Sequence, residues 1–519
     1  MRTSWRVFAA AALIAGLATT PAQAQPNAPI ANVTGGKIRG AMIEGQATFK
    51  NIPYAAPPVD DLRWREPQPV AAWSGTRDAR AFGHPCVQPN APDTSEDCLT
   101  VNVWAPQWPA KSAKAVMVWF HGGGNTEGWA NTPFYYGSDL ARHGVVVVTA
   151  QYRLGVFGFF AHPELTKESA HRASGNYGLL DQIAVLRWVH DNIGAFGGDP
   201  ANVTIFGESA GAEDVGLLLV SPLAKGLFHR VIAESGPLRK VYPSLARQEK
   251  ECGGIAAALD APPMGQIAFL RKLSAEDVLT TAWNNPQACR PVNVDGYVLT
   301  EQPLKSYAEG KQHKVPFMLG NTLREGFTPM TTAQLKAEIA AQYGALGPRV
   351  LALYGLDRPE PPRPDPLYGD ALIQYGTDQS HRCRAVLEGI QHAATGEAFY
   401  QFQFSRSLPG QTEMMSTHTD EIPFVFGETA LKPMRLMASA DAKLSEQMES
   451  YWTNFAKQGD PNGPGLPRWT KFDAGRKAYM SFAESGAAPG EGLRRAQCDI
   501  FLDAESARPT WQYPERAPE

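Results

Sequence analysis

Ser209 lies in Gly207-Glu208-Ser209-Ala210-Gly211, directly after the apolar run Val203–Phe206 and directly before a helical pattern over Ala212–Leu219. A serine at a sharp strand-to-helix turn sits in strained backbone with its hydroxyl lifted clear of the sheet. The flanking glycines remove Cβ atoms that would clash there. Such a serine can act as a nucleophile in acyl transfer. The new helix also points its amide dipoles at the same spot.

Acyl transfer builds negative charge on a carbonyl oxygen, and preorganised backbone N–H groups stabilise it by ~3 kcal/mol each. His121-Gly122-Gly123-Gly124 follows the apolar run Ala115–Phe120. Consecutive glycines let amides turn toward an oxyanion without side chains in the way. Two of the loop's amides would donate, and the third donor would be the N–H of Ala210, the residue after the serine.

A nucleophile elbow goes with the chain order serine, acid, histidine. After the strand pattern Pro316–Leu319, the loop Gly320–Phe327 carries one carboxylate, Glu325. Only His381, His392 and His418 follow it, and the base should come after the strand pattern Ala398–Phe404, which leaves His418. His418 would take the proton from Ser209, and Glu325 would fix the imidazole and stabilise its cation. Activity should then fall on acidification as His418 protonates.

These residues need a scaffold. The 519 residues are 43% hydrophobic and 19% charged, a globular composition, with no internal repeat and no long linker. Short runs rich in β-branched residues (Ala115–Phe120, Val145–Gln151, Val203–Phe206, Val231–Ala233, Pro316–Leu319, Ala398–Phe404) alternate with helical patterns. Leu179, Ile183, Leu186 and Ile193 fall on one face of such a helix, which Gly194–Pro200 ends. Near-continuous apolar strands predict an α/β fold with a mostly parallel sheet covered on both faces. Reactive groups should collect at the carboxyl ends of its strands.

The first 24 residues read as a secretory leader: Arg2 and Arg6, the apolar stretch Val7–Ala18, then Ala22-Gln23-Ala24 before a cut at Gln25. The stretch is short of the ~20 residues that span a bilayer. Residues 25–519 would form one domain. Loss of Arg2 and Arg6 leaves 46 basic against 52 acidic side chains, which offers no basic stripe for nucleic acid. Cys86, Cys98, Cys252, Cys289, Cys383 and Cys498 form an even set in an exported chain, which favours disulfides; Cys86 with Cys98 is the simplest pair. No Cys-x-x-Cys and no His-Glu-x-x-His occurs, so no metal site is expected, and the acyl-enzyme chemistry needs no cofactor.

Phe49–Ala55, Leu62–Arg65, Ser95–Leu99, Gly175–Gln182, Phe206–Gly211, His418–Ile422 and Phe424–Gly427 together resemble the type B carboxylesterases, the cholinesterase-like branch of the α/β-hydrolases. The resemblance runs from about Val33 to Phe501. It implies Ser209, Glu325 and His418 as a triad, with Gly123, Gly124 and Ala210 as oxyanion donors. It also implies disulfides Cys86–Cys98 and Cys383–Cys498, leaving Cys252 with Cys289, and ion pairs Arg63–Glu96 and Arg153–Asp181 under the site. The implied activity is hydrolysis of a small-molecule ester; lipase-like and detoxifying hydrolases share the same acyl-enzyme steps. Relatives that lost the serine only bind partners, but here all three groups are present.

The departures are specific. No tryptophan lies between Cys86 and Cys98, where cholinesterases hold a quaternary ammonium, so a choline ester is not expected. Asn125 after the glycines should make the pocket mouth polar. Glu213 and Asp214 need partners or solvent, and either bias the site toward cationic or polar substrates or serve the helix face. Met414 and Met415 would line an apolar wall or fill core.

Overall fold

A computed structural model describes residues 28–286, 289–325, 330–360, 362–407, 415–427 and 439–512. The leader 1–24 and Met414 lie outside these residues.

The run Lys114–Phe120 becomes a strand because its side chains alternate between two apolar environments. Val116, Val118 and Phe120 enter one core cluster; Ala115, Met117 and Trp119 enter the other. A strand apolar on both faces is stable only when both faces are covered. The helix Tyr177–Asn192 covers one, with Leu179, Ile183 and Leu186 in the first cluster. The helix Ser439–Gln458 covers the other through Tyr451, Trp452 and Phe455.

The main sheet has eleven strands. Its centre is parallel and runs, in spatial order, Val146–Ala150, Lys114–Phe120, Gly198–Glu208, Arg230–Glu234, Phe317–Thr322, Phe399–Phe404 and Ala478–Ala483. Antiparallel strands close both edges: Gly486–Glu491 on one side, and Thr100–Ala105, Gln46–Pro53 and Ala41–Ile43 on the other. A separate three-stranded sheet joins Ile30–Val33, Gly36–Arg39 and Thr76–Asp78.

Chain order reverses at Lys114–Phe120. The next strand pairs on one side of it and the strand after that on the other. Open α/β sheets bind ligands at such a switch point, outside the carboxyl ends of the strands.

Two expectations need correction. The strand beginning at Phe317 continues through Thr322, so Gly320–Thr322 is strand and not loop. The helix after Ser209 starts at Ala210 rather than Ala212, because the turn is tight enough to leave no spacer.

All six cysteines pair, as Cys86–Cys98, Cys252–Cys289 and Cys383–Cys498. Arg63 meets Glu96 with two hydrogen bonds of 2.7 and 2.6 Å. Arg153 meets Asp181 with two of 2.8 and 2.7 Å, and both of these side chains are buried. Pairing and hydrogen bonding offset part of the cost of taking these charges out of water.

Candidate active site

The strand Gly198–Glu208 feeds Ser209, whose backbone sits at φ 54°, ψ −122°, a sterically costly conformation for a residue with a Cβ. Packing holds it there. A Cβ at Gly211 would overlap the carbonyl oxygen of Phe120, and one at Gly207 would lie 2.7 Å from that same oxygen. Only glycine lets the turn approach the neighbouring strand so closely. The Ser209 N–H also donates to Glu234 O at 2.8 Å.

Glu325 and His418 come from loops that follow two adjacent parallel strands, Phe317–Thr322 and Phe399–Phe404. The residues just before them are tied: Arg324 N–H donates to Ser416 O at 3.0 Å, and Arg324 forms a parallel bridge with Thr417. Thr322 N–H donates to Glu325 Oε1 at 2.6 Å, and Glu325 N–H to Thr377 Oγ1 at 3.1 Å. Asp420 accepts from Thr417 N–H at 2.7 Å and closes the histidine loop.

The three groups meet in line. His418 Nδ1 lies 2.6 Å from Glu325 Oε2, and His418 Nε2 lies 2.8 Å from Ser209 Oγ. The Glu325 side chain is buried. Burial pushes its pKa up, but the imidazoles of His381 and His418 outweigh burial and hold it below the usual carboxylate range. An ionised carboxylate only accepts, so Nδ1 carries the proton and Nε2 is left to accept from the serine hydroxyl. Burial pushes His418 down; the charge of Glu325 and its hydrogen bond win and raise it above the ordinary histidine value.

The glycine loop stands beside this line. Gly123 has φ +106° and Gly124 φ +64°, backbone that glycine adopts without cost. Thr126 and Glu127 N–H groups donate to Gly123 O at 3.1 and 3.0 Å, which turns that carbonyl away from the loop's own N–H groups. Among the described residues the N–H groups of Gly123, Gly124 and Ala210 meet no protein acceptor. The arrangement brings together a hydroxyl, an imidazole, a buried carboxylate and N–H groups without a protein acceptor, the set that acyl transfer requires.

Sequence reasoning missed a ring of carboxyl groups around the line. Glu208 Oε1 lies 3.2 Å from His418 Nε2, Glu234 accepts from Trp452 Nε1–H at 2.9 Å, and Ser235 Oγ donates to Glu421 Oε1 at 3.0 Å. All three carboxyls are buried. Burial raises Glu234 to about 8 and pushes Glu208 and Glu421 well above the usual range, with neighbouring carboxylates adding to those two. The available signal was an acidic residue closing an otherwise apolar strand, as in Ile205-Phe206-Gly207-Glu208 and Val231-Ile232-Ala233-Glu234.

His381, set aside in the sequence reading as base, lies near the site. Its ring centre is 6.0 Å from that of His418, and burial pushes its pKa down to about 3. Glu325, His381 and His418 bring potential metal-ligating atoms within 4.8 Å of one another, as do His143, Glu446 and Glu449.

Asn125 does not polarise the pocket mouth. It is 4% exposed and turns inward, donating through Nδ2 to Asp214 Oδ1 at 2.9 Å, while Gln182 Nε2 donates to Asp214 Oδ2 at 2.6 Å. Burial raises Asp214 to about 7. Glu213 is buried against Lys240 (2.7 Å) and the Tyr242 hydroxyl, so it offers no free anion to a cationic substrate. Met415 is partly buried, with Sδ 3.4 Å from Ser407 Oγ.

Sheet, elbow and loops define an α/β-hydrolase. The carboxylesterase family model matches residues 27–345 and 353–501, and the chain belongs to the carboxylesterase family. It is 36% identical over 504 residues to a fumonisin B1 esterase of Sphingopyxis macrogoltabida, covering 92% of this chain and 91% of that one. It is 37% identical over 463 residues to a para-nitrobenzyl esterase of Bacillus subtilis (strain 168), covering 82% and 89%. A solved PNB esterase superposes with TM-score 0.80 at 32% identity, covering 91% of this chain and 99% of that one. Like those relatives, the chain is a carboxylic ester hydrolase. Among the described residues no helix is long and apolar enough to cross a membrane.

Proposed function

We propose that this chain is an exported serine esterase that works through an acyl-enzyme, with Ser209, His418 and Glu325 as its triad. The observation that carries the reading is the continuous line of contacts, 2.6 Å from Glu325 to His418 and 2.8 Å from His418 to Ser209. Ser209 Oγ attacks the ester carbonyl carbon while His418 Nε2 takes the hydroxyl proton. The carbonyl oxygen becomes an oxyanion, held by the N–H groups of Gly123, Gly124 and Ala210. On collapse the alcohol leaves with the proton from His418. Water then repeats the attack on the acyl-enzyme, its proton passes to His418, and the acid is released with Ser209 restored.

The substrate is a small-molecule ester, with no nucleic-acid partner and no stable membrane anchor. Two relatives are named for the esters they act on, fumonisin B1 and para-nitrobenzyl esters. Residues 1–24 are removed on export and 25–519 form the mature hydrolase, in the periplasm or the medium. Three disulfides fit an oxidising compartment.

The test is Ser209→Ala in purified mature protein, with an organophosphate probe on the parent. The variant should fold and lose turnover of p-nitrophenyl acetate, and the probe should label Ser209. Parental rates in the variant would sink the assignment.

A further inference from the structure

The helix Ala371–Thr377 runs into a π-helical turn, Asp378–Arg382, and then into the helix Cys383–Ala393. A π-helical turn carries an extra residue, which re-aims the side chains around it, and such turns recur at functional sites. Here the side chains on and beside the turn face the reaction centre. Thr377 Oγ1 accepts from the Glu325 N–H at 3.1 Å. His381 stands beside His418, with ring centres 6.0 Å apart. Arg382 reaches the backbone that leads to Glu325 and the strand that leads to His418.

The Arg382 guanidinium spends each of its nitrogens on a different piece of chain. NH2 donates to Leu323 O at 2.8 Å, two residues before Glu325. Nε donates to Gln403 Oε1 at 3.0 Å, on the strand Phe399–Phe404. NH1 donates to Asp378 Oδ1, within the turn itself. Asp378 is anchored from behind, where its Oδ2 accepts from the Tyr354 hydroxyl at 3.0 Å and from Arg494 NH2 at 3.1 Å. The side chains of Arg382 and Asp378 are both buried. A buried ion pair adds little stability over apolar residues of the same volume, because desolvation cancels much of the attraction. A planar fork of fixed donors does set the relative position of three acceptors, which an apolar side chain would not.

We propose that Arg382 is a positioning residue for ester hydrolysis, whose guanidinium locks the Glu325 loop to the strand that leads to His418 and so sets the contact between acid and base. The proposal rests on the triad reading above. Arg382 acts through Glu325, and Thr377 holds the same loop at the Glu325 N–H. The contact it protects is the 2.6 Å from Glu325 Oε2 to His418 Nδ1, and a displacement of about 1 Å at a catalytic group costs about a hundredfold in rate. His418 is faced by Glu325, Glu208, Asp420, Glu421, His381 and Arg239. Of these, Glu325 alone sits on the loop whose backbone Arg382 holds.

The experiment follows p-nitrophenyl acetate hydrolysis against pH on the purified mature enzyme, with urea unfolding alongside. Arg382→Met should lower kcat about tenfold, with KM near the parental value. Its acid limb should move to lower pH, because a loosened Glu325 no longer raises His418 as far. Arg382→Lys keeps a charge for Asp378 but not the fork, so it should recover only part of the loss. Thr377→Val, a milder change, should move kcat and the limb in the same direction, and it carries the test if Arg382→Met does not fold. Arg384→Met is the matched control. It removes a buried arginine two residues away, paired with Glu505 at 3.0 Å, and should cost stability alone. Parental kcat and acid limb in Arg382→Met and Thr377→Val, or an equal shift in Arg384→Met, would overturn the proposal. Glu325→Gln separates the two readings. If it loses turnover while the Arg382 and Thr377 variants keep theirs, only the positioning role fails. If it too keeps parental turnover, the triad reading fails with it.

Discussion

Phe120 and Gly207 are Cα partners on adjacent parallel strands, so the glycine loop and the serine turn leave the sheet level with each other. Neighbouring strands extend the alignment: Glu208 pairs with Glu234, and Glu234 with Gly320. The glycine loop, Ser209 and the loop that carries Glu325 therefore leave the sheet at the same end of its strands, which is why residues far apart in sequence meet within hydrogen-bonding distance.

That closeness depends on Gly211, where a methyl group would strike both Phe120 O and His121 O. Gly211→Ala should cost about 1–3 kcal/mol of stability, the range for overpacking a filled site. It should also lower kcat by moving the serine turn away from the donor loop. Urea unfolding with parallel kinetics checks both; an Ala variant with parental stability would show that the strands tolerate more separation.

The pH profile follows from His418. Its pKa lies above the ordinary value of about 6.5 because Glu325 favours the charged imidazole, and a base must be neutral to act. The kcat/KM should therefore fall as pH drops through a point above 6.5. Glu325→Gln removes the charge that raises His418, so the limb should move to lower pH while the plateau rate falls by orders of magnitude. An acid limb that stays in place in the Gln variant would assign the titration to another group.

Much of this was legible because elbow, glycine loop and chain order each have local signatures. The convergence was not. Glu208, Glu234, Ser235, Glu421 and His381 surround the relay only because neighbouring strand ends are level, which no local pattern encodes. Asn125 read as a polar mouth residue, yet its side chain closes onto Asp214 and Gln182 brings the second donor. The antiparallel strand Thr100–Ala105, paired on both sides, escaped for a similar reason. Asn102 breaks its apolar run, but in the sheet that amide is buried, donating to Thr149 Oγ1 at 3.1 Å and accepting from Asn51 N–H at 3.1 Å.

Asn125 tethers the donor loop to the helix behind Ser209 through Asp214. Asn125→Ala leaves Asp214 Oδ1 buried without that donor, a cost of about 1–3 kcal/mol. With the loop less firmly held, kcat should fall more than KM rises, since the donors act on the transition state. A change confined to KM would place Asn125 in substrate binding instead.

The buried Glu234 sets a pH dependence on stability. Burial raises it from the ordinary 4.5 to about 8, so between those values the folded chain holds a proton that the unfolded chain has released. Stability from this group is complete below about 4.5 and is lost as pH rises through 8. Glu234→Gln stays neutral and keeps an oxygen to accept from Trp452 Nε1. The variant should therefore gain on the parent as pH rises, with the difference in unfolding midpoint larger at pH 8.5 than at pH 5.5. Equal differences at the two pH values would mean that Glu234 titrates alike in the folded and unfolded chain.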